Sequence, residues 1–372
     1  MLKIGITGQA GFVGTHLYNT LGLFPEEFER IDFQKEYFED PNQLNEFVAQ
    51  CDVIVHLAAM NRHNDPQVIY DTNIGLVEKL IQSLDQTKSK AHVLFSSSSQ
   101  EERDNLYGKS KKEGRELMID WAEKAGGKFT GMIIPNVFGP FGHPNYNSVV
   151  ATFCHKLAHN ETPTIEVDGE LKLIYVGELV EAILSEIRKG KSNAELVIAH
   201  TSESKVSQLL SLLECYKAEY QDKGIIPSIN NTFELNLFNT FRCYMDIANH
   251  FPVKFVEHTD PRGSFVEIIR LGVGGQVSFS TTVPSITRGN HYHTRKIERF
   301  AVIKGKALIQ LRRIGTDEVL DFYLDGAEPA YVDMPIWYTH NIKNIGDEVL
   351  YTNFWINEFY DPNDPDTYFE NV

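Results

Sequence analysis

The first half of the chain alternates short apolar runs with longer stretches whose apolar residues recur at helical spacing. Runs at 3–7, 28–33, 52–57, 91–95 and 130–134 predict strands, and the unbroken Val53-Ile54-Val55 suits a strand buried on both faces. Segments 14–23, 41–50, 71–84 and 109–125 predict the intervening helices. Such alternation builds right-handed βαβ units and a doubly wound parallel sheet.

After about residue 250 the texture changes. Short strands are predicted at 253–256, 264–269, 275–280, 298–304, 307–313, 318–323, 330–333 and 349–354, separated by turn residues such as Asp260-Pro261-Arg262-Gly263, Gly315 and Asp325-Gly326. Close spacing of this kind predicts an all-β barrel or jelly roll. Residues 200–250 read as helical and polar, which places the expected domains at 1–246 and 247–372. A chain of 372 residues is also too long for one compact core.

Composition narrows the function classes. With 42% apolar and 23% charged residues the chain reads as an ordinary soluble protein, and no apolar stretch is long enough to span a bilayer. The start Met1-Leu2-Lys3-Ile4 runs straight into a strand without a basic leader or cleavage site. Cys51, Cys154, Cys215 and Cys243 are scattered without metal-clip or redox spacing, so reduced thiols and a cytoplasmic location are expected. A net charge of −16 repels phosphate backbones and anionic lipid, so neither nucleic acid nor membrane is an expected partner.

Thr7-Gly8-Gln9-Ala10-Gly11-Phe12-Val13-Gly14 follows the first strand and opens a helix. Glycines three apart let the backbone turn tightly against a pyrophosphate, and the helix start offers free N–H groups. Asp32 ends the second strand, where a carboxylate binds the adenosine ribose and favours NAD; Lys35 or Arg62 could instead hold a 2′-phosphate. Tyr107 and Lys111, four apart at the start of a helix, share a face. The ammonium is expected to lower the phenol's pKa, and the phenol can protonate a carbonyl oxygen as hydride reaches carbon. One hydroxyl of Ser96-Ser97-Ser98-Ser99 can hold the same oxygen.

With TGQAGFVG, His56-Leu57-Ala58-Ala59, Asn73, FSSSS, YGKSK and Pro135-Asn136-Val137-Phe138-Gly139-Pro140, residues 1–240 resemble the extended short-chain dehydrogenase/reductase family. That resemblance implies a Rossmann fold with Tyr107 as acid/base, Lys111 as its partner and Ser98 as third member. It also implies a nicotinamide cofactor lined by Gly8, Gly11, Phe12, Val13, Gly14, Asp32, Leu57, Ala58, Ala59, Asn73, Tyr107 and Lys111. The serine-to-tyrosine segment is shorter than in most members, and Ile133 or Ile134 replaces an arginine often found before the PNVFGP-type motif.

Gly289-Asn290-His291-Tyr292-His293 is followed by Glu298 and, farther along the chain, by His340. Residues two apart on a strand face one side, so three imidazoles and a carboxylate can converge on a divalent transition metal with a position left open. These segments resemble the paired motifs of the cupin superfamily, with Trp337 where glycine is usual. Asp260-Pro261-Arg262-Gly263-Ser264-Phe265-Val266-Glu267 and Thr287-Arg288-Gly289-Asn290-His291 also resemble segments of nucleotide-linked keto-sugar epimerases, in which the histidine matching His291 is catalytic.

The order reductase-then-cupin, with Pro144-Asn145-Tyr146-Asn147-Ser148 and the ending Pro365-Asp366-Thr367-Tyr368-Phe369, resembles a family of bifunctional capsular polysaccharide synthesis enzymes over nearly the full length. That resemblance implies a homodimer with zinc in the barrel and NADP(H) in the reductase, NAD(H) being the alternative that Asp32 favours. It implies C3 epimerisation of a UDP-4-keto-6-deoxy-HexNAc, then C4 reduction to UDP-2-acetamido-2,6-dideoxy-β-L-talose. Asn136, Tyr146, Asn147 and Arg262 are expected at the substrate. The rival expectation is a C4 reductase alone, its cupin a sugar- or metal-binding and oligomerisation module. Glu267, Lys296 and Tyr338 are candidate bases.

Overall fold

A computed structural model describes every residue except Arg262, which therefore lies outside the structural account. The chain divides into two compact units, Met1–Val149 with Val167–Val206 and Val150–Glu166 with Ser207–Val372.

The first unit contains β1 (Leu2–Thr7), α1 (Phe12–Leu21), β2 (Phe28–Ile31), α2 (Pro41–Gln50), β3 (Val53–His56), α3 (Pro66–Thr87), β4 (His92–Ser98), α4 (Leu106–Ala125), β5 (Lys128–Ile134) and β6 (Asn136–Phe138). After α5 (Val149–Ala158) it resumes with β7 (Glu170–Tyr175), α6 (Val176–Lys189), β8 (Asn193–Val197) and β9 (Ser202–Lys205). Six parallel strands form the sheet β2-β1-β3-β4-β5-β8. Strand order reverses between β1 and β3, which opens a crevice at their carboxyl ends, the usual place for a ligand in such sheets. Val53, Ile54 and Val55 are buried, as a strand covered by helices on both faces requires. Asp40 and Asp65 cap α2 and α3, each with proline at the first helical position. Asn105 caps α4 by accepting the Gly108 N–H at 2.7 Å, which fixes the turn bearing Tyr107.

The second unit holds α7 (Val206–Tyr216), α8 (Thr232–Arg242) and the short α9 (Ile247–His250), so the helices after 206 group with the barrel strands. The strands are β10 (Val253–Lys254), β11 (Glu257–Asp260), β12 (Gly263–Val266), β13 (Gln276–Thr282), β14 (Thr287–Tyr292), β15 (Glu298–Lys304), β16 (Lys306–Arg313), β17 (Val319–Asp325), β18 (Ala330–Met334), β19 (Tyr338–Asn344), β20 (Leu350–Ile356) and β21 (Tyr368–Phe369). Two antiparallel five-stranded sheets, β10-β18-β15-β20-β13 and β17-β16-β19-β14-β21, enclose a core that includes Phe300, Val302, Ile309, Leu311, Phe322 and Leu350. The expected doubly wound sheet followed by a jelly-roll barrel is the fold observed. Apolar alternation passed over the polar strands β11, β14 and β19, and the expected strand 264–269 shortens to Gly263–Val266.

Candidate functional site

The crevice of the parallel sheet collects the first group of residues. Gly8 has φ +77, and a Cβ there would lie 2.8 Å from the Ala58 nitrogen; a Cβ on Gly14 would lie 2.2 Å from the Gly8 oxygen. Only glycine lets these loops pack so closely. Gly11 caps α1, whose first turn holds Phe12 and Val13. Leu57 donates its N–H to Thr7, and the Thr7 hydroxyl meets His56 Nδ1 at 2.7 Å, tying the ends of β1 and β3. Burial, then the nearby Lys111, pushes His56 down to about 3, so it stays neutral.

Asn73 lies on α3. Its side chain accepts the Met60 N–H at 2.7 Å and donates to the Met60 carbonyl and Ser110 Oγ, so it holds the loop following Ala58 and Ala59. The exposed Asp32 carboxylate accepts the Tyr18 hydroxyl at 2.8 Å. Arg62 is committed elsewhere, donating to the carbonyls of Asn145 and Tyr146. It thereby anchors the loop that carries Tyr146 and Asn147.

Ser98 ends β4 and is hydrogen-bonded to the Tyr107 phenol in the first turn of α4. Lys111 is buried one turn later, with its ammonium 3.4 Å from Ser96 Oγ and over the Phe95 ring. Burial lowers that ammonium to about 8, against the attraction of Glu101. The expected drop in the phenol's pKa is not found: burial raises it, with the Ser98 hydrogen bond pulling the other way. A phenol that keeps its proton is the right form for protonating a reduced carbonyl. Tyr146 bears electrostatically on the same phenol, and Asn136 lies on β6, exposed.

Sequence reasoning missed Glu101. It follows the serine run, accepts hydrogen bonds from Ser97 and from both forks of Arg115 at 3.0 and 2.7 Å, and is buried. This clamp secures the short link between Ser98 and Tyr107. Nothing in local spacing announces it, because Arg115 lies a helix away.

The second site lies in the barrel. His291, His293, Glu298 and His340 each turn a ligand atom inward, all within 4.8 Å of one another. Gly289 and Asn290, with φ +100 and +61, form a bulge in β14 that places His291 opposite His340 on β19. His293 lies just past the end of β14, and Glu298 opens β15. Each imidazole gives its outer side to a carbonyl: His293 Nδ1 to Asp366, His340 Nδ1 to Tyr338 at 3.1 Å, and His291 to Gly289. Such bonds fix the ring orientation and turn the other nitrogen of each toward the cluster.

The chemistry of this set fits a metal. His340 Nε2 is buried without a hydrogen-bond partner, although it lies 3.2 Å from Glu298 Oε2. Glu298 is buried, which alone would raise its pKa, yet the hydrogen-bonded His293 and the adjoining His340 hold it well below the usual carboxylate range. Burial and the facing His340 push His291 down to about 4, so it is a neutral ligand at ordinary pH. Three imidazole nitrogens and a carboxylate oxygen are a donor set that suits zinc or another divalent transition metal.

Of the candidate bases, Glu267 is exposed and paired with Arg270, and Lys296 gives its ammonium to the Pro365 carbonyl at 2.6 Å. Tyr338 is half-buried, and the loss of solvent around its phenol raises its pKa. The substrate expectation for Arg262 lies outside the described residues. No helix among the described residues is long and apolar enough to cross a membrane.

Comparison with known proteins accords with both halves. Residues 4–199 match the NAD dependent epimerase/dehydratase family, and residues 258–368 match the polysaccharide biosynthesis C-terminal domain. The chain is 32% identical to the UDP-2-acetamido-2,6-beta-L-arabino-hexul-4-ose reductase of Pseudomonas aeruginosa, over 99% of this chain and 98% of that protein. It is 35% identical to the capsular polysaccharide assembling protein CapF of Staphylococcus aureus, covering 99% of this chain and 100% of that one, with a TM-score of 0.62. The NADPH complex of RMD from Pseudomonas aeruginosa, 20% identical over 59% of this chain and 83% of its own, with a TM-score of 0.53, shares the fold. The chain belongs to the NAD dependent epimerase/dehydratase family, in its two-domain, CapF-like form with a polysaccharide biosynthesis C-terminal domain.

Proposed function

We propose that this protein is a bifunctional nucleotide-sugar enzyme of polysaccharide synthesis. Its barrel inverts C3 of a UDP-2-acetamido-2,6-dideoxy-4-keto-hexose, and its Rossmann half reduces C4 to give UDP-2-acetamido-2,6-dideoxy-β-L-talose. The observation that carries the reading is the pairing, in one chain, of Ser98, Tyr107 and Lys111 with a three-histidine, one-carboxylate cluster. The full-length match to a hexul-4-ose reductase supports the substrate class.

Both chemistries use one ketone. The C4 carbonyl acidifies the C3–H bond, so a base can take that proton and reprotonation on the other face inverts the centre. His291, His293, His340 and Glu298 would hold a divalent metal, zinc on this reading, which supplies Lewis-acid polarisation of a carbonyl oxygen. Epimers of similar energy would stall near equilibrium, and reduction at C4 draws the mixture forward. There Ser98 holds the ketone oxygen, Tyr107 delivers its proton to that oxygen, and Lys111 keeps positive charge nearby as the carbonyl becomes an alcohol. NADPH, with NADH as the competing donor at Asp32, supplies the hydride. The loop fastened by Arg62 carries Tyr146 and Asn147 toward the substrate.

A second reading, a C4 reductase with a non-catalytic barrel, is favoured by the Pseudomonas relative's name, which specifies reductase alone. Incubation of Tyr107→Phe with the UDP-4-keto sugar in deuterated buffer separates the two. The bifunctional reading expects reduction to fall by about 10²–10⁴ while deuterium still enters C3, and His291→Ala should abolish that entry. A Tyr107→Phe enzyme that exchanges nothing at C3 would leave the reductase reading standing.

A further inference from the structure

The run Pro365-Asp366-Thr367-Tyr368-Phe369 near the carboxyl end has no part in either chemical step. We propose that this segment is a strap that preorganises the His/Glu cluster, with Asp366 as its positioning residue. The proposal rests on reading that cluster as a metal site.

The strap reaches the neighbourhood of all four ligand residues. The main-chain carbonyl of Asp366 accepts His293 Nδ1 and so fixes which nitrogen faces the cluster. Its buried carboxylate accepts four further bonds: Thr294 N at 3.0 Å, Thr294 Oγ1 at 2.7 Å, Arg295 N at 3.1 Å and Lys296 N at 3.0 Å. Those residues form the non-strand link between His293 and Glu298. Without Asp366, three successive N–H groups would lose their acceptor and the link its shape. Asp366 adopts φ +40, a left-handed conformation that aspartate tolerates better than most residues.

Farther along, Tyr368 and Phe369 pair with Tyr292 and His291 on β14. Glu370 N donates to the carbonyl of the bulge residue Asn290 at 3.1 Å. The Thr339 hydroxyl, next to His340, donates to the Glu370 carbonyl, and Arg312 binds both the Glu370 carboxylate and the Asn371 carbonyl. The four residues come from β14 and the link after it, from β15 and from β19, and one short segment fixes the backbone or ring of each neighbourhood. Partners of this kind govern how well ligands are aimed before the ion arrives.

The test compares the full-length protein with Asp366→Ala and Asp366→Asn, stripped of metal and then titrated with Zn(II) against a chromophoric chelator and with Co(II) followed by its absorption spectrum. Asp366→Ala should bind Zn(II) about 10–100-fold more weakly and show altered Co(II) bands. Both variants keep the main-chain carbonyl, so Asp366→Asn, which also keeps one side-chain acceptor oxygen, should fall between. NADPH binding in the other unit should be unchanged. Affinity within twofold of wild type with an unaltered Co(II) spectrum overturns the proposal, even if the melting temperature drops, because the strap would then only brace the barrel. Should Asp366→Ala fail to fold, Asp366→Asn and Thr294→Ala carry the test on the same terms. A wild-type chain that binds no metal at the histidines sinks the metal reading itself, and the strap's role with it.

Discussion

Trp337 stands at a position where its backbone wants a glycine. Its φ is +61, yet its side chain is only 7% exposed and its ring stacks on Tyr292 at 5.7 Å. Its main-chain N–H donates to the His293 carbonyl at 2.8 Å, so the residue braces the His/Glu cluster. Two opposing effects follow. A left-handed conformation costs a side-chain-bearing residue about 1–2 kcal/mol. Burying about 200 Å² of indole returns about 5 kcal/mol at most, at about 25 cal/mol per Å². Burial wins, so Trp337→Gly should destabilise the barrel by about 3–4 kcal/mol. Trp337→Ala loses the same burial but keeps the strain, and should be worse than glycine by about 1–2 kcal/mol. At an ordinary position the order is reversed, glycine being the worse by about 0.5–1 kcal/mol. Hydrogen exchange of β14 and β19 amides, on metal-free protein so that binding does not mask the difference, reads these values locally. An alanine variant as stable as the glycine variant, or more so, refutes the reasoning.

Lys111 is lowered to about 8 by burial while the Tyr107 phenol is raised, so the lysine loses its proton first as pH rises. The kcat/KM for ketone reduction should therefore fall along an alkaline limb near pH 8, and a flat profile well beyond that point would contradict a role for the charge. In the barrel unit, Arg299 makes a bidentate buried pair with Asp333 at 2.7 and 2.9 Å, and Tyr220 donates to the same carboxylate at 2.8 Å. Asp333→Ala strands that guanidinium and should lower stability by about 3–5 kcal/mol; urea unfolding showing a loss below about 1 kcal/mol would mean that water or a neighbour repairs the site.

Where the chain's local pattern and the fold agree, the reason is short range. The glycines of residues 8–14 and the Tyr107/Lys111 pair act within one turn or one helix face, so spacing alone places them. The histidines were legible as donors, but the device that aligns them was not. Strand β14 reads TRGNHY, without apolar alternation, and its Gly289-Asn290 bulge is defined only against β19. Likewise the Glu101–Arg115 clamp and the Asp366 strap depend on partners 14 and about 70 residues away. The direction of the Tyr107 shift went astray for a related reason: spacing reveals a nearby ammonium, but burial is a property of the packed site.

The central claim is that one C4 ketone is used twice, first to invert C3 and then to accept hydride. A single turnover of wild-type protein with protiated NADPH and the UDP-4-keto sugar in deuterated buffer, followed by NMR of the product, tests it most directly. The account predicts one solvent deuterium at an inverted C3 and cofactor protium at C4. A reduced product that keeps its original hydrogen and configuration at C3 would contradict it.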